Sequence, residues 1–213
     1  MRRLVLTLVV ALVAIGANSA SAQMVSAGVM GGLTMATADV KGDVFTSDVG
    51  TRTGWHLGAL AKADITPYFG VQAEFMYSQK GFGEGNGTVA LSVNYIEIPI
   101  FLVLQLPGKI SPHLLLGAVL GLESGCKVTS DTLDNVPCEE VTVLPLQTKG
   151  ADSGLMFGLG LDVNAGPGIL FGDLMYNYGL TDISEPSLDV DNIKTRTFYV
   201  TAGFRFAVGR TSQ

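Results

Sequence analysis

Apolar and polar residues alternate one by one along most of the chain, and no helical period is sustained over a comparable length. A period of two is typical of β-strands, because successive side chains point to opposite faces of a sheet. The alternation predicts eight strands, most of them about as long as the ~9–11 residues that a tilted membrane-spanning strand requires. The predicted strands are Met24–Thr34, Gly54–Asp64, Phe69–Gln79, Ala90–Gln105, Pro112–Leu122, Asp152–Asn164, Gly168–Gly179 and Thr195–Val208.

The connections between the predicted strands alternate strictly between long and short. The short ones are Ile65–Tyr68, Leu106–Ser111 and Ala165–Pro167, and the long polar ones are Met35–Thr53, Lys80–Val89, Glu123–Ala151 and Leu180–Lys194. Short periplasmic turns, longer external loops and an even number of strands are typical of bacterial outer-membrane barrels. The pattern therefore predicts that both termini lie on the periplasmic side.

The two faces of the predicted strands differ in a way that indicates the surroundings of the barrel. One face is apolar and often bulky, and the other mixes glycine with isolated polar residues. Charged residues make up only 15% of the chain, and its mean hydropathy is +0.39. A soluble barrel around an apolar ligand would need its charges outside, and these are too few. We therefore predict an all-β fold, an eight-stranded antiparallel up-and-down transmembrane β-barrel.

The first residues have the form of a secretory signal peptide. A basic start at Met1-Arg2-Arg3 precedes an apolar stretch, and Ala20-Ser21-Ala22 has the small residues of a cleavage site. The alternative is a membrane anchor, but the apolar stretch is shorter than the roughly 20 residues that a bilayer requires. We expect residues 1–22 to be removed after export through the Sec pathway, which leaves residues 23–213 as the barrel domain.

The chain has two cysteines, Cys126 and Cys138, both in the longest predicted connection. The periplasm is oxidising, so a pair close in sequence in an exported protein favours a disulfide. A metal-binding or catalytic pair is the alternative. No histidine lies nearby and the spacing is not that of a CxxC motif, so we predict a disulfide.

Extending the alternation through every strand directs a small set of ionisable residues into the barrel. The set comprises Lys62, Glu74, Glu97, Asp162, Asp173 and Arg205, accompanied by His56, His113, Gln72 and Asn177. An eight-stranded interior is filled by side chains, so these groups must pair with one another or with water. We expect Lys62 and Arg205 to pair with the carboxylates of Glu74, Glu97 and Asp173. The set is thus a candidate charge network in the lumen.

The same residues permit a catalytic interpretation, because paired carboxylates can act as a general acid and base. A lipid-modifying enzyme of the outer membrane would need a nucleophile and a base close together. The only histidines are His56 and His113, which lie toward opposite ends of the predicted barrel. We therefore favour a structural network, with no catalytic residue and no cofactor.

Net charge and loop composition limit the partners. The formal net charge is −6, which disfavours a nucleic-acid partner. The predicted loops are rich in Asp and Glu, but no spacing matches a calcium-binding loop, so no metal site is predicted. We expect contacts with outer-membrane lipid, and with envelope proteins through the external loops. A narrow pore or small-solute transporter remains an alternative to this structural or interaction role.

Three strand motifs resemble those of the PorT family of outer-membrane β-barrel proteins. Gln72–Gly81 resembles an E-x-x-Y-x-x-K-G strand, Tyr95–Ile100 a Y-x-E-I-P-L strand, and Tyr176–Ile183 a Y-x-x-G-L-x-x-I segment. Their order and spacing agree over nearly all of the mature chain. The resemblance implies an eight-stranded outer-membrane barrel. The founding member of the family is associated with type IX secretion. The three motifs are not evidence for that role in this chain.

Proline within a central strand removes a hydrogen bond from the ladder. Pro99 therefore predicts a β-bulge or bend in the fourth strand, with Glu97 facing the interior.

Overall fold

The computed structural model describes residues 24–41, 49–84, 89–130, 133–137, 150–181 and 192–210. The described residues form nine strands: β1 (Met24–Lys41), β2 (Val49–Thr66), β3 (Phe69–Glu84), β4 (Val89–Gln105), β5 (Ile110–Ser130), β6 (Leu133–Pro137), β7 (Ala151–Ala165), β8 (Gly168–Gly179) and β9 (Asn192–Arg210). Within these residues, no helix is long and apolar enough to cross a membrane. The predicted signal peptide and Cys138 lie outside the described residues.

Eight of the strands close into an antiparallel barrel. Strands that follow one another in the chain pair with each other, apart from β6, so that β5 pairs with both β4 and β7. The first strand, β1, pairs with the last, β9, which completes the circle. Among the described strands, β6 pairs with the outer end of β5, over Lys127–Ser130. The predicted eight-stranded up-and-down fold is confirmed.

Three tight connections lie at the end of the barrel where the chain enters at Met24. In the connection from β7 to β8, Gly166 has φ = 62°, a left-handed conformation that favours glycine. One backbone hydrogen bond, from Gln105 N to Tyr68 O at 2.9 Å, joins the other two turns, and another, from Leu106 N to Pro112 O at 3.0 Å, closes the β4–β5 connection. This end has the short turns that the sequence predicts on the periplasmic side. It is called the periplasmic end below, and the opposite end is called the external end.

At the opposite end most of the barrel strands continue beyond their predicted limits, whereas β8 ends at Gly179 as predicted. Strand β5 extends to Ser130 rather than Leu122, and β1 extends to Lys41 rather than Thr34. The β1–β9 ladder reaches the pair Lys41–Asn192. The sequence prediction ended each strand where apolar alternation ended, but a hydrogen-bonded ladder does not require apolar side chains once it leaves the lipid. Parts of the predicted loops are therefore strands.

Outward and inward side chains form two contrasting surfaces. Outward residues such as Leu57, Phe75 and Leu159 are largely exposed, at 61%, 58% and 58%. Inward residues such as Leu115 and Met175 are completely buried. A belt of exposed leucine, isoleucine, valine and phenylalanine around a barrel with polar groups inside is the arrangement of a lipid-facing wall.

The strand register contradicts the bulge predicted at Pro99. Pro99 pairs with Val119 of β5 without a register shift, and the shift in this ladder lies between Asn94 and Tyr95. The ladder with β3 resumes on both sides of Pro99 in the same register, at Ile100 and at Glu97. The missing N–H of Pro99 is therefore accommodated without an inserted residue.

Candidate functional site

The six ionisable residues predicted to face the interior are all buried, each at most 5% exposed. The structure places five of them in two groups, and Glu74 lies in neither. Asp162, Arg205, Lys62 and Asp173 lie toward the periplasmic end, and Glu97 belongs to a second group toward the external end. Glu74 accepts a hydrogen bond at 2.7 Å from the Nε2 of Gln72, its neighbour on β3.

Asp162 on β7 is the centre of the periplasmic group. Its Oδ2 accepts a charge-assisted hydrogen bond from Nη2 of Arg205 on β9 and lies 3.5 Å from Nζ of Lys62 on β2. In the circle of eight strands, β2 and β7 are four positions apart and therefore face each other across the lumen. The contact between Lys62 and Asp162 thus spans the barrel.

Lys62 also joins this centre to the barrel mouth. Its Nζ donates to Oε1 of Gln105 at 2.5 Å and lies 3.4 Å from Oδ1 of Asp64. Gln105 in turn donates from Nε2 to the same Oδ1 of Asp64 at 3.0 Å. Every hydrogen atom of this ammonium therefore has an acceptor nearby, as a buried cation requires.

His113 and Asp173 interact across an intervening glycine. Gly160 on β7 pairs with His113 of β5 on one side and with Asp173 of β8 on the other. His113 Nε2 lies 2.9 Å from Oδ1 of Asp173, and a Cβ atom on Gly160 would overlap both groups. The absent side chain therefore permits contact between residues two strands apart. Nδ1 of the same ring lies 3.6 Å from Oδ1 of Asp162.

Glu97 is the centre of the external group. Its carboxylate accepts hydrogen bonds from Ser78 at 2.5 Å, from Lys80 at 2.6 Å and from the hydroxyl of Tyr199 at 2.9 Å. Tyr199 is on β9 and Glu97 on β4, again four positions apart in the circle. The hydrogen bond between Tyr199 and Glu97 is a second contact that spans the lumen. The ammonium of Lys80 also lies 5.1 Å from the ring centroid of Tyr95.

These contacts correct the pairing expected from the sequence. Lys62 and Arg205 contact Asp162, and neither is the partner of Glu97, which pairs with Lys80. Sequence reasoning missed Lys80 because it ended the third strand at Gln79. The inward positions of this strand are every second residue, Gln72, Glu74, Met76 and Ser78. One further step of this alternation gives Lys80 and would have indicated that its side chain points inward.

Two further polar pairs line the external half. His56 Nε2 lies 3.0 Å from Oγ1 of Thr201, and Gly32 lies between them on β1. Thr195 donates to Oδ2 of Asp152 at 2.9 Å. The two histidines thus have separate partners in separate halves of the barrel, and within the described residues they do not share a site.

Apolar side chains fill the rest of the interior. The buried cluster comprises Met30, Leu60, Met76, Phe101, Val103, Leu115, Val119, Met156, Phe171, Met175 and Tyr199. Within the described part of the chain, no three residues among His, Cys, Asp and Glu are placed to hold a metal ion. The arrangement is suited to holding opposite walls together.

A cavity of about 480 Å³ lies at the periplasmic mouth, beneath the three tight turns. Its wall includes Asp64, Gln105, Asp162 and Arg205, so the ion pair between Asp162 and Arg205 lines it. The sequence indicated the charges but not this cavity, because its walls come from strands far apart in the chain.

A closed antiparallel barrel with an apolar outer belt and ion pairs across its interior defines the class, an outer-membrane β-barrel protein. The chain belongs to the family described as outer membrane protein beta-barrel domain, whose model matches residues 7–206. It therefore resides in the cell outer membrane. No curated protein sequence matches the chain.

Several solved outer-membrane proteins are similar to the chain at low identity. Ail, the attachment invasion locus protein of Yersinia pestis, solved in complex with the heparin analogue sucrose octasulfate, is 21% identical over 86% of this chain and 99% of that one, with a TM-score of 0.45. OprG from Pseudomonas aeruginosa is 14% identical over 87% and 98%, with a TM-score of 0.49. Neisserial surface protein A is 17% identical over 85% and 96%, also with a TM-score of 0.49.

Proposed function

We propose that this protein is a non-enzymatic outer-membrane barrel with a structural or interaction role, performed through its external segments. One observation carries the proposal: contacts between opposite strands close the lumen at two levels. Lys62 reaches Asp162 in the periplasmic half, and Tyr199 reaches Glu97 in the external half. A narrow interior braced in this way serves as a scaffold rather than a passage.

The external end supports an interaction role because it is built from extended strands. β5 is 21 residues long, and β6 adds a short strand beside its outer end. Tight turns at the periplasmic end expose little backbone for recognition. The net charge of −6 disfavours polyanions and nucleic acids as partners. Outer-membrane lipid is the partner of the apolar belt, and other envelope proteins are the partners proposed for the external segments.

Three finer assignments belong to the same proposal. Residues 1–22 act as the signal peptide for Sec export, and the strand motifs make the chain a member of the PorT family.

Cys126 on β5 forms a disulfide with Cys138, which restrains the longest external segment. Thiol titration of the unfolded, unreduced protein should detect no reactive sulfur, whereas two reactive thiols would disprove the disulfide.

Conductance tests the closed barrel against the pore alternative. The mature protein, folded in detergent, should migrate differently on a gel before and after boiling. In planar bilayers it should show no stable unitary current. Stable currents altered by Glu97→Gln or Arg205→Lys would establish a pore and refute the structural proposal.

Photo-crosslinking in intact cells tests the interaction role directly. A photoreactive residue at Ser124, which is exposed near the external end, should give adducts with envelope proteins. The matched control is Leu159, on the lipid-facing side of β7, which should give only lipid adducts. Equal protein adducts at both positions, or none at Ser124 and at the other external positions Lys127 and Thr53, would contradict the proposal.

A further inference from the structure

The hydrogen-bonded ladder between β3 and β4 has a gap near the middle of β3. Pairing with β4 stops at Ala73 and resumes at Met76 in the same register. The two residues between them, Glu74 and Phe75, have no ladder partner on β4, and the register places Pro99 opposite Glu74. The ladder between β7 and β8, by contrast, is continuous. The seam between β3 and β4 is therefore less completely bonded than that between β7 and β8.

The missing N–H of Pro99 is the cause of the gap. In an antiparallel ladder, a residue directs its N–H and its C=O to the same neighbouring strand. Pro99 keeps its pairing with Val119 of β5, so the donor that it lacks is the one directed at β3. The carbonyl of Glu74 thereby loses its ladder donor, and no side chain among the described residues donates to it. An acceptor without a donor lies within the wall of the barrel.

The lipid side of the gap belongs to the apolar belt. The outward side chains at the gap, Phe75 and Ile98, are 58% and 36% exposed. Hydrocarbon offers no donor, so a carbonyl without its ladder partner is more costly there than beside water. Separating the strands at this point also breaks one hydrogen bond fewer than elsewhere in the ladder. Both effects lower the free energy that is needed to open the seam locally.

The lumen side of the gap provides an independent observation. The side chain of Glu74 is buried, and its Oε1 accepts a hydrogen bond from Gln72. Its Oε2 has no partner, and no cationic atom of the described residues lies within 4.0 Å of the carboxyl group. Glu74 thus lacks the ion pair that Asp162 and Glu97 each have. Water that enters through the gap would supply donors to this oxygen and to the backbone carbonyl.

From these features we infer that the β3–β4 seam at Glu74 and Pro99 is a lateral gate, where the barrel wall opens and admits water to Glu74. Opening here hydrates two acceptors that lack donors in the closed wall, whereas opening a continuous ladder breaks complete pairs. The gate connects the lumen with the lipid and not one end of the barrel with the other, so it is compatible with a lumen that passes no ions. It does not depend on the role proposed for the external segments.

Hydrogen–deuterium exchange of the mature protein, folded in detergent, tests the gate. The reporter is segment 73–77 of β3, and the reference is segment 157–161 of β7, which lies in the continuous ladder. After correction for the intrinsic rate of each sequence, the backbone amides of the reporter should exchange at least about tenfold faster than those of the reference. Exchange of the reporter no faster than that of the reference would overturn the inference.

Pro99→Ala restores the N–H and leaves the sequence of the reporter unchanged. It should slow exchange of the reporter by up to about tenfold, because the seam gains a hydrogen bond. Pro112→Ala is the matched control, since it also replaces a strand proline but at the periplasmic end of β5, where pairing with Leu161 is present. It should leave the reporter unchanged. Equal slowing in the two variants would show that the effect is not local, and would contradict the gate.

A second variant closes the seam covalently. Phe75→Cys with Ile98→Cys places two cysteines at facing outward positions of β3 and β4. Their disulfide should slow exchange of the reporter, and a reductant should restore it, with the native chain in the same reductant as the control. The heat-dependent gel shift reports that each variant is folded. Exchange that neither Pro99→Ala nor the disulfide slows would refute a gate at this seam.

Discussion

Gly160 illustrates how a single residue determines a contact between other residues. It lies on β7 between His113 and Asp173, whose side chains meet above it at 2.9 Å. Gly32 has the same role between His56 and Thr201. In both cases a glycine on the middle strand lets side chains from its two neighbours touch. Inward glycines are therefore part of the polar network.

Gly160→Ala should destabilise the barrel by about 1–3 kcal/mol, because the new methyl group overlaps the His113–Asp173 pair. Urea unfolding in lipid or detergent measures the effect. Gly172→Ala is the matched control, since its Cβ would meet only the carbonyl of Thr201 at 3.8 Å. That variant should lie within about 0.5 kcal/mol of the native chain. Equal stability of the two variants would contradict this role of Gly160.

Lys80→Met should destabilise the barrel by about 3–5 kcal/mol, because it leaves the carboxylate of Glu97 buried without its cation. The exposed Lys127 provides the control: Lys127→Met should change the free energy of unfolding by no more than about 0.5 kcal/mol. The double variant Lys80→Met with Glu97→Gln should recover part of the loss. A small effect of Lys80→Met alone would show that Ser78 and Tyr199 suffice to stabilise the carboxylate.

The longer barrel strands, such as β1 and β5, continue beyond the apolar belt at the external end. In the apolar belt, a strand can be recognised in the sequence by its alternation of apolar and polar residues. At the external end the strand is defined by its backbone hydrogen bonds alone, which the sequence does not reveal. This is why the sequence located all eight barrel strands but placed the external limit of β5 at Leu122 instead of Ser130. Lys80 was missed as an inward charge for the same reason.

Leu159→Arg should test the lipid-facing side at the level of a strand. Leu159 lies near the middle of β7 and points outward. An arginine there should lower the free energy of unfolding in bilayers by about 2–4 kcal/mol, because its charge is placed in hydrocarbon. Ser124→Arg, near the external end of β5, should have an effect below about 1 kcal/mol. Equal effects at both positions would place Leu159 outside the hydrocarbon.

At the scale of the whole molecule, strands far apart in the chain brace each other through the lumen. Tyr199 and Glu97 are 102 residues apart in sequence, and their strands lie on opposite sides of the circle. The contact of Lys62 with Asp162 acts in the same way nearer the periplasm. Closure of the circle brings these groups together, and the groups in turn fill the space that closure creates.

Removing both contacts should open a passage. The double variant Lys62→Ala with Tyr199→Ala removes a bulky side chain at each level, and it should give ion currents in planar bilayers that the native protein lacks. The control variant Leu174→Ala with Val200→Ala shortens two outward side chains on neighbouring strands. It should give no ion current in planar bilayers. A silent Lys62→Ala, Tyr199→Ala variant that still shows the heat-dependent gel shift would mean that the apolar cluster closes the lumen.

The alternation along the chain is enough to predict the number of strands, their outward and inward faces, the ends at which turns and loops lie, and the identity of six buried ionisable residues. These are local properties, since each follows from the alternation within one strand. The partners of these residues are visible only in the folded barrel: Asp162 for Lys62 and Arg205, Lys80 for Glu97, and His113 for Asp173. Pairing depends on register, on tilt and on which strands face each other once the sheet closes. The cavity at the periplasmic mouth has the same origin, because closure alone brings its walls together.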